Sequence, residues 1–327
     1  MRKKILVTGG AGYIGSVIVE RLIDHGYRVV ILDNLSTGNR RALHPQADFV
    51  QGDIRDITCL VSILQRARLD AVIHMAAKAL VPESITDPVP FYSSNLVGGI
   101  QLVDAMVRHG VKKIIFSSTA AVYGEPMRVP LEEDHPASPL NSYGETKLSF
   151  ERLLLWCAKA NKLDATIFRY FNAAGASKTY GEAHVPETHL IPSLLNAAQT
   201  NRVSEIFGTD YDTPDGTCIL DFIHVTDLAD AHMRALELPS REGFRIFNLG
   251  SETGYSVLQV IESVERVTGQ KLEKRILARR LGDPARLVAS SRKARVELNW
   301  VPRFQCLESI VESAWLWRKA HPKGYAE

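Results

Sequence analysis

Short apolar runs alternate with amphipathic stretches through the first half of the chain. The runs fall at Ile5 to Val7, Val29 to Leu32, Phe49 to Val50, Ala71 to His74, Ile114 to Phe116 and Ala165 to Phe168. Between them, residues 14–25, 57–66, 91–109 and 145–160 carry apolar positions at helical spacing. Strands with so little polar alternation are buried on both faces, and a helix after each one implies parallel neighbours. The pattern therefore predicts an α/β fold, a doubly wound parallel sheet. After about residue 172 the rhythm changes: turn-rich segments such as "GTDYDTPDGT" and "RRLGDPAR" separate helical patterns at about 226–238, 256–268 and 306–320. We expect residues 1–172 to form the first domain and residues 173–327 a smaller α/β lobe, with segments at about 218–250 returning to the first sheet.

Bulk properties narrow the function. The 327 residues are 45% hydrophobic and 23% charged, an ordinary globular balance, and the formal net charge is only +2. No basic block favours nucleic acid or an acidic membrane surface, so a small-molecule or protein partner is expected. Cys59, Cys157, Cys218 and Cys306 lie far apart with no C-x-x-C pair, suggesting free thiols and neither a disulfide framework nor a metal site. The apolar run in "MRKKILVTGG" is too short for a signal-peptide core or a membrane span, and the expectation is a cytoplasmic protein.

The first strand runs directly into "TGGAGYIGS", placing Gly9, Gly12 and Gly15 at the mouth of the first helix. Glycines there permit a tight turn and close backbone approach, so that helix N-terminal amides can face a pyrophosphate. Asp33 ends the second strand 18 residues after Gly15, where a carboxylate accepts from ribose hydroxyls. The same charge would repel a 2′-phosphate, which favours NAD over NADP. Asp53, in "GDIRD", could accept from an adenine amine or could sit in a surface turn. Ala76 and Ala77, in "HMAAK", let a cofactor lie close over the fourth strand. Together these features predict a Rossmann NAD-binding domain.

Two further stretches carry chemistry. "IIFSSTAAVYG" brings Ser117, Ser118 and Thr119 off the fifth strand, at the sheet edge where ligands of such folds bind. "NSYGETK" sets Tyr143 and Lys147 four residues apart on the first turn of a helix, where they can touch. A cation beside a phenol favours the phenolate, so Tyr143 is a candidate base with Lys147 as its pKa tuner and as a donor to the nicotinamide ribose. Strand-end capping is the competing role for Ser117 and Ser118.

With these motifs in view, the chain resembles the extended short-chain dehydrogenases/reductases, specifically the UDP-glucose (UDP-galactose) 4-epimerases. The similarity runs from "GGAGYIGS" through "DNLSTG", "SSTAAVYG", "YGETK", "RYFNAAGA", "PETHLIP", "FGTDYDTPDGTC" and "DFIHVTDLADAH" to "RRLGDPA". The resemblance implies transient oxidation of a UDP-sugar at carbon 4, turnover of the 4-ketose in the site, and return of the hydride to its other face, with a tightly held NAD regenerated each cycle. It implies that Thr119 helps move the proton and that Tyr170 contacts the nicotinamide end. It adds Tyr13, Ile14, Asn34, Ile54, Met75, Asn95 and Ser117 to the cofactor contacts. Asn172, His189, Leu190 and Phe207 would line the nucleotide-sugar site, and Arg280 with Asp283 would hold the phosphates and ribose of UDP. A homodimer paired through helices at about 91–109 and 145–160 is also implied.

Three alternatives stand beside this, one of them a net dehydrogenase, which would have to exchange its cofactor. A sugar-nucleotide 4,6-dehydratase needs an acid and a carboxylate base after the threonine, where this chain has Ala120 and Ala121. A non-catalytic NAD sensor has no need of Thr119, Tyr143 and Lys147 together. The range of sugars, whether N-acetylhexosamine, pentose or uronate, stays open. One departure stands out: Leu220 precedes Asp221 where the epimerase pattern has an arginine for the UDP phosphates, so weaker UDP-sugar binding or a different preferred sugar is expected.

Overall fold

The computed structural model describes residues 2–239, 243–280 and 282–326. Residues 240–242, inside the stretch expected to return to the sheet, and Leu281 of "RRLGDPA" lie outside the described residues. Seven strands form an entirely parallel sheet: β1 (Lys4–Thr8), β2 (Arg28–Asp33), β3 (Asp48–Gln51), β4 (Ala71–His74), β5 (Lys113–Thr119), β6 (Asp164–Tyr170) and, after three strands elsewhere, β10 (Gly243–Leu249). Their order is β10-β6-β5-β4-β1-β2-β3, with the reversal of direction at β1 and β4. This is the doubly wound Rossmann arrangement.

Alternation of side chains along each strand explains the unbroken apolar runs. Ile5, Val7, Ile31, Ile73 and Ile115 point to one face and pack with Val17, Ile18 and Leu22 of the helix Tyr13–Asp24 and Leu228 of the helix Val225–Glu237. Leu6, Val30, Leu32, Val72, Ile114 and Phe116 point to the other face, against Leu102 and Met106 of the helix Gly98–Arg108 and Leu154 of the helix Ser142–Lys159. Each fully buried aliphatic side chain contributes about 1.5–3 kcal/mol, so both helical layers are needed to cover the sheet.

The remaining strands build the second lobe. β7 (Asn172–Ala174), β11 (Gly254–Ser256) and β13 (Arg286–Leu287) all pair with β9 (Ile219–His224), and β8 (Ser204–Phe207) pairs with β12 (Lys274–Leu277). A separate core of Ile191, Leu194, Phe222, Val260, Ile261 and Ile310 holds this lobe together.

The continuous helix expected at 91–109 is interrupted. Val89–Phe91 and Gly98–Arg108 are α-helical, and Tyr92–Val97 between them is a π-helix. Asn95, inside that wide turn, is drawn into tertiary hydrogen bonds described below, and such bulges gather at functional sites. The helix Leu190–Thr200 and the short helix Val81–Thr86 carry too few residues of clear period to be read from the pattern.

Candidate active site

The carboxyl ends of β1 through β6 open onto one cleft of about 910 Å³, which continues past Asn172 into the second lobe. At its β1 end the glycine loop is as tight as its composition requires. Gly9 has φ +74°, and a Cβ on Gly15 would lie 2.1 Å from the Gly9 carbonyl oxygen. Asp33 is buried, and its carboxylate accepts from the Ala11 and Leu35 amides at 3.0 and 2.8 Å. Burial pushes its pKa up, with those two amides opposing. Asp53 is held well below the usual carboxylate range by the Arg55 guanidinium, and it accepts from Asn34 at 2.8 Å. Gly9, Gly12, Tyr13, Ile14, Gly15, Asp33, Asn34, Asp53, Ile54, Met75, Ala76 and Ala77 all line this half of the cleft. The cradle in which a Cβ would collide and the inward Asp33 together fit a dinucleotide whose ribose hydroxyls are free.

At the β5 end, Thr119, Tyr143 and Tyr170 face the cleft. Asn141 caps the helix Ser142–Lys159, its side chain accepting from the Gly144 amide at 2.8 Å, and so fixes Tyr143 in the first turn. Tyr143 keeps part of its surface open to the cleft, yet burial pushes its phenol up to about 12, with the Thr119 hydroxyl acting the other way. The Lys147 Nζ lies 5.9 Å from the Tyr143 ring centroid and donates to the Ser117 carbonyl at 2.8 Å. Burial drags the Lys147 ammonium down to about 7 against the attraction of Glu151. The expected lowering of the Tyr143 pKa by Lys147 is therefore not a standing property of the pair, because desolvation weighs on both partners.

Four residues expected to touch ligand stand behind the cleft wall instead. Lys147 is buried on the Ser117 carbonyl. The Ser117 hydroxyl is shared with the Tyr170 phenol at 2.8 Å, which is in turn 2.8 Å from His232 Nε2. Asn95 is buried and clamps Lys78, accepting from its amide at 2.8 Å and donating to its carbonyl at 3.0 Å, while also reaching Thr146 at 3.1 Å. Phe207 lies under the Arg280 guanidinium, 3.7 Å from ring centroid to the guanidinium carbon. Ser118 reaches the cleft wall, but its hydroxyl is spent on Glu151, whose carboxylate is paired with buried Arg169. Of the three hydroxyls on β5, that of Thr119 faces the cleft while accepting from the Ala121 amide at 3.1 Å.

The second-lobe wall holds Asn172, His189, Leu190, Leu220, Arg280 and Asp283. Asn172 Nδ2 donates to the Asp221 carbonyl at 2.8 Å, which ties β7 to β9. Burial raises the Asp283 pKa, with Arg280 opposing. His189 Nδ1 sits 2.8 Å from Glu182 and 3.0 Å from Glu187. Burial works against the His189 imidazolium, but these carboxylates outweigh it and hold its pKa up at about 10. Glu182 and His184 also line the cleft and were not singled out in the sequence, since their spacing matches neither a helical nor a strand face. Ala120 and Ala121 present only methyl groups beside Thr119.

Similarity to known proteins agrees with this geometry. The model of the NAD dependent epimerase/dehydratase family matches residues 5–250. The UDP-glucose 4-epimerase of Halalkalibacterium halodurans is 50% identical, covering 98% of this chain and 97% of its own, and that of Streptococcus mutans is 49% identical over 98% of each. A crystal structure of a UDP-glucose 4-epimerase superposes with a TM-score of 0.96 at 44% identity, covering 99% of this chain and all of the other. The Bifidobacterium longum UDP-glucose 4-epimerase, solved in complex with NAD+ and UDP, superposes with a TM-score of 0.95 at 35% identity over 98% of this chain and all of its own. The parallel sheet, the glycine cradle with its inward Asp33, and near-full-length similarity place the chain in the NAD dependent epimerase/dehydratase family, among its UDP-glucose 4-epimerases.

Proposed function

We infer that this protein is an NAD-dependent enzyme that interconverts UDP-glucose and UDP-galactose by inverting carbon 4 of the sugar. The observation that carries this reading is the pairing of Thr119 and Tyr143 at the meeting point of the dinucleotide half of the cleft and the second-lobe half, with only the methyls of Ala120 and Ala121 beside them. A hydroxyl and a phenol suit moving one proton on and off a sugar hydroxyl. Elimination of water, as in the dehydratases, would demand a further acid and base where those methyls stand.

The glycine loop through Gly15, Asp33 and Asn34 on the ribose side, and Asp53 and Ile54 on the adenine side would hold the cofactor. When bound, NAD would supply the hydride acceptor. Tyr143 takes the proton of the 4-hydroxyl as carbon 4 is oxidised and returns it after the 4-ketose has presented its other face. Thr119 hydrogen-bonds the same oxygen and steadies the proton between them. Lys147 anchors the end of β5 through the Ser117 carbonyl and offers a cation to the phenolate as it forms. Asn95 acts at one remove, pinning Lys78 in the loop after β4. Asn172, His189 and Leu190 wall the nucleotide-sugar side, with Arg280, braced on Phe207, and Asp283 at the UDP end.

Because no net redox change occurs, the cofactor stays bound through many cycles. The chain acts as a cytoplasmic homodimer, paired through the helices Gly98–Arg108 and Ser142–Lys159, whose outer faces expose Ile100 and Trp156. Among the described residues no helix is long and apolar enough to cross a membrane. The test is proton NMR of UDP-galactose incubated with purified protein and no added NAD. Appearance of the anomeric signal of UDP-glucose supports the reading; its absence even with NAD supplied refutes it for this substrate and turns attention to UDP-N-acetylglucosamine, UDP-xylose and UDP-glucuronate.

A further inference from the structure

The loop between β7 and the helix Leu190–Thr200 gathers Glu182, His184, Glu187 and His189 at one point of the cleft wall. One ligand atom from each lies within 4.8 Å of the other three. Both imidazoles turn Nδ1 to the same carboxylate oxygen, Glu182 Oε1, at 3.1 Å from His184 and 2.8 Å from His189. Glu187 Oε1 approaches the same His189 nitrogen at 3.0 Å. A single ring nitrogen bears one proton, so it cannot serve two carboxylates fully. The Glu182 side chain is only 7% exposed, and among the described residues its bonding partners are those two histidines. Near neutral pH that anion rests on the His189 imidazolium, whose one Nδ1 proton it shares with Glu187.

From this geometry we propose that Glu182, His184, Glu187 and His189 bind a divalent transition-metal ion, Zn2+ in the first instance. Once the ion has displaced the His189 proton, two carboxylates and two neutral imidazoles carry a charge of minus two, which one divalent ion cancels. Ligands at Zn–N and Zn–O distances of about 2.0–2.2 Å stand about 3.3–3.5 Å apart in a tetrahedron, so the cluster needs shifts of about 1 Å to close. Imidazole with carboxylate suits zinc, cobalt or nickel, whereas calcium and magnesium take oxygen ligands almost throughout. All four ligands fall within eight residues, so closing the loop around the ion costs little chain entropy. The ion would fasten the loop to the start of the helix Leu190–Thr200 and so set the wall beside Leu190, which couples metal occupancy to nucleotide-sugar affinity. Metal binding itself is independent of which sugar the enzyme turns over.

Protein stripped with a chelator and dialysed would be titrated with Co2+ alone and read by visible absorption, and with Zn2+ alone read by elemental analysis after desalting. Expected are one ion per chain and the intense visible bands of four-coordinate cobalt, both lost in Glu182→Gln and in His184→Ala variants whose circular dichroism matches the parent. X-ray absorption of the zinc-loaded parent, which needs no variant, should show imidazole and oxygen scatterers without sulfur. A cobalt spectrum unchanged from the aqueous ion would overturn the proposal. So would thiolate charge-transfer bands or sulfur scattering, which would move the metal to the cysteines, and so would binding that survives both substitutions.

Discussion

Replacing Lys147 by methionine separates its electrical role from its mechanical one. The ammonium lies 5.9 Å from the Tyr143 ring centroid. At an effective dielectric of about 20, unit charges about 6 Å apart attract by about 3 kcal/mol, or about two pKa units. Burial leaves Lys147 at about 7 and Tyr143 at about 12, so each is costly to charge alone. As the phenolate forms it raises the lysine's pKa by the same amount that the ammonium lowers its own, and the two titrate as a pair. Lys147→Met should therefore move the acid limb of the rate profile up by about two pH units. The rate at pH 7 should fall about 100-fold and recover as pH rises, because the unassisted phenol still ionises. Tyr143→Phe should lose about 10²–10⁴-fold at every pH, having no group left to ionise. Initial rates of UDP-glucose formation from UDP-galactose, followed by NMR with saturating NAD from about pH 6 to pH 10, distinguish the two. A Lys147→Met profile that levels off at the same pH as the parent's, only at a lower rate, would refute the electrical argument and leave Lys147 as the anchor of the Ser117 carbonyl.

Gly15→Ala would bring a methyl 2.1 Å from the Gly9 carbonyl oxygen and 2.9 Å from the Gly10 Cα. A cost of about 1–3 kcal/mol or more and loss of retained NAD should follow, seen in melting temperature and in cofactor content after denaturation; parent-like values for both would show that the loop is looser than drawn. Leu220→Arg puts a cation on the cleft wall, and a charge-assisted contact to pyrophosphate, worth about 1.5–3 kcal/mol, should lower the Michaelis constant about 10- to 100-fold. An unchanged constant would mean that the phosphates lie elsewhere. Asp221 takes four hydrogen bonds, from the Ser251 amide and hydroxyl and the Glu252 and Ala289 amides. Burial still pushes its pKa up to about 6. A raised folded-state pKa means that the folded protein holds the proton more tightly, so this group's contribution is full below about pH 4 and is lost as pH rises through about 6. Relative to Asp221→Asn, which does not titrate, the parent should lose up to about 3 kcal/mol between pH 4 and pH 7 in urea unfolding; parallel curves would place the carboxyl in a wetter site than its bonding indicates.

What could be read from the sequence divides along a physical line. β1, β2, β4, β5 and β6 were legible because a strand buried on both faces cannot afford a polar alternate, and the helices between them because one face of each must cover the sheet. Gly9, Gly15 and Asp33 were legible for a related reason: their placement follows from where β1 and β2 end, which local pattern reveals. Asn95, Ser117 and Phe207 were not, because their partners Lys78, Tyr170 and Arg280 are 17, 53 and 73 residues away and nothing local encodes the meeting. The π-helical turn at Tyr92–Val97 belongs with them, since it accompanies a tertiary clamp made by Asn95.

Lys147 shows how far local spacing reaches and where it stops. Four residues of helix put the ammonium near the Tyr143 ring, as i and i+4 require. They do not tell that the same nitrogen would be buried against a strand carbonyl thirty residues back and so lose much of its charge near neutral pH. Spacing sets which groups can meet; the packing around them sets their protonation, and a base is defined by the second as much as by the first. The cluster at Glu182, His184, Glu187 and His189 makes the same point from the other side. Its ligands sit close in sequence but on no regular face, and only the folded loop shows that four donors share one centre. Irregular segments are thus where reading by periodicity is blind, and in this chain such a segment forms part of the cleft wall.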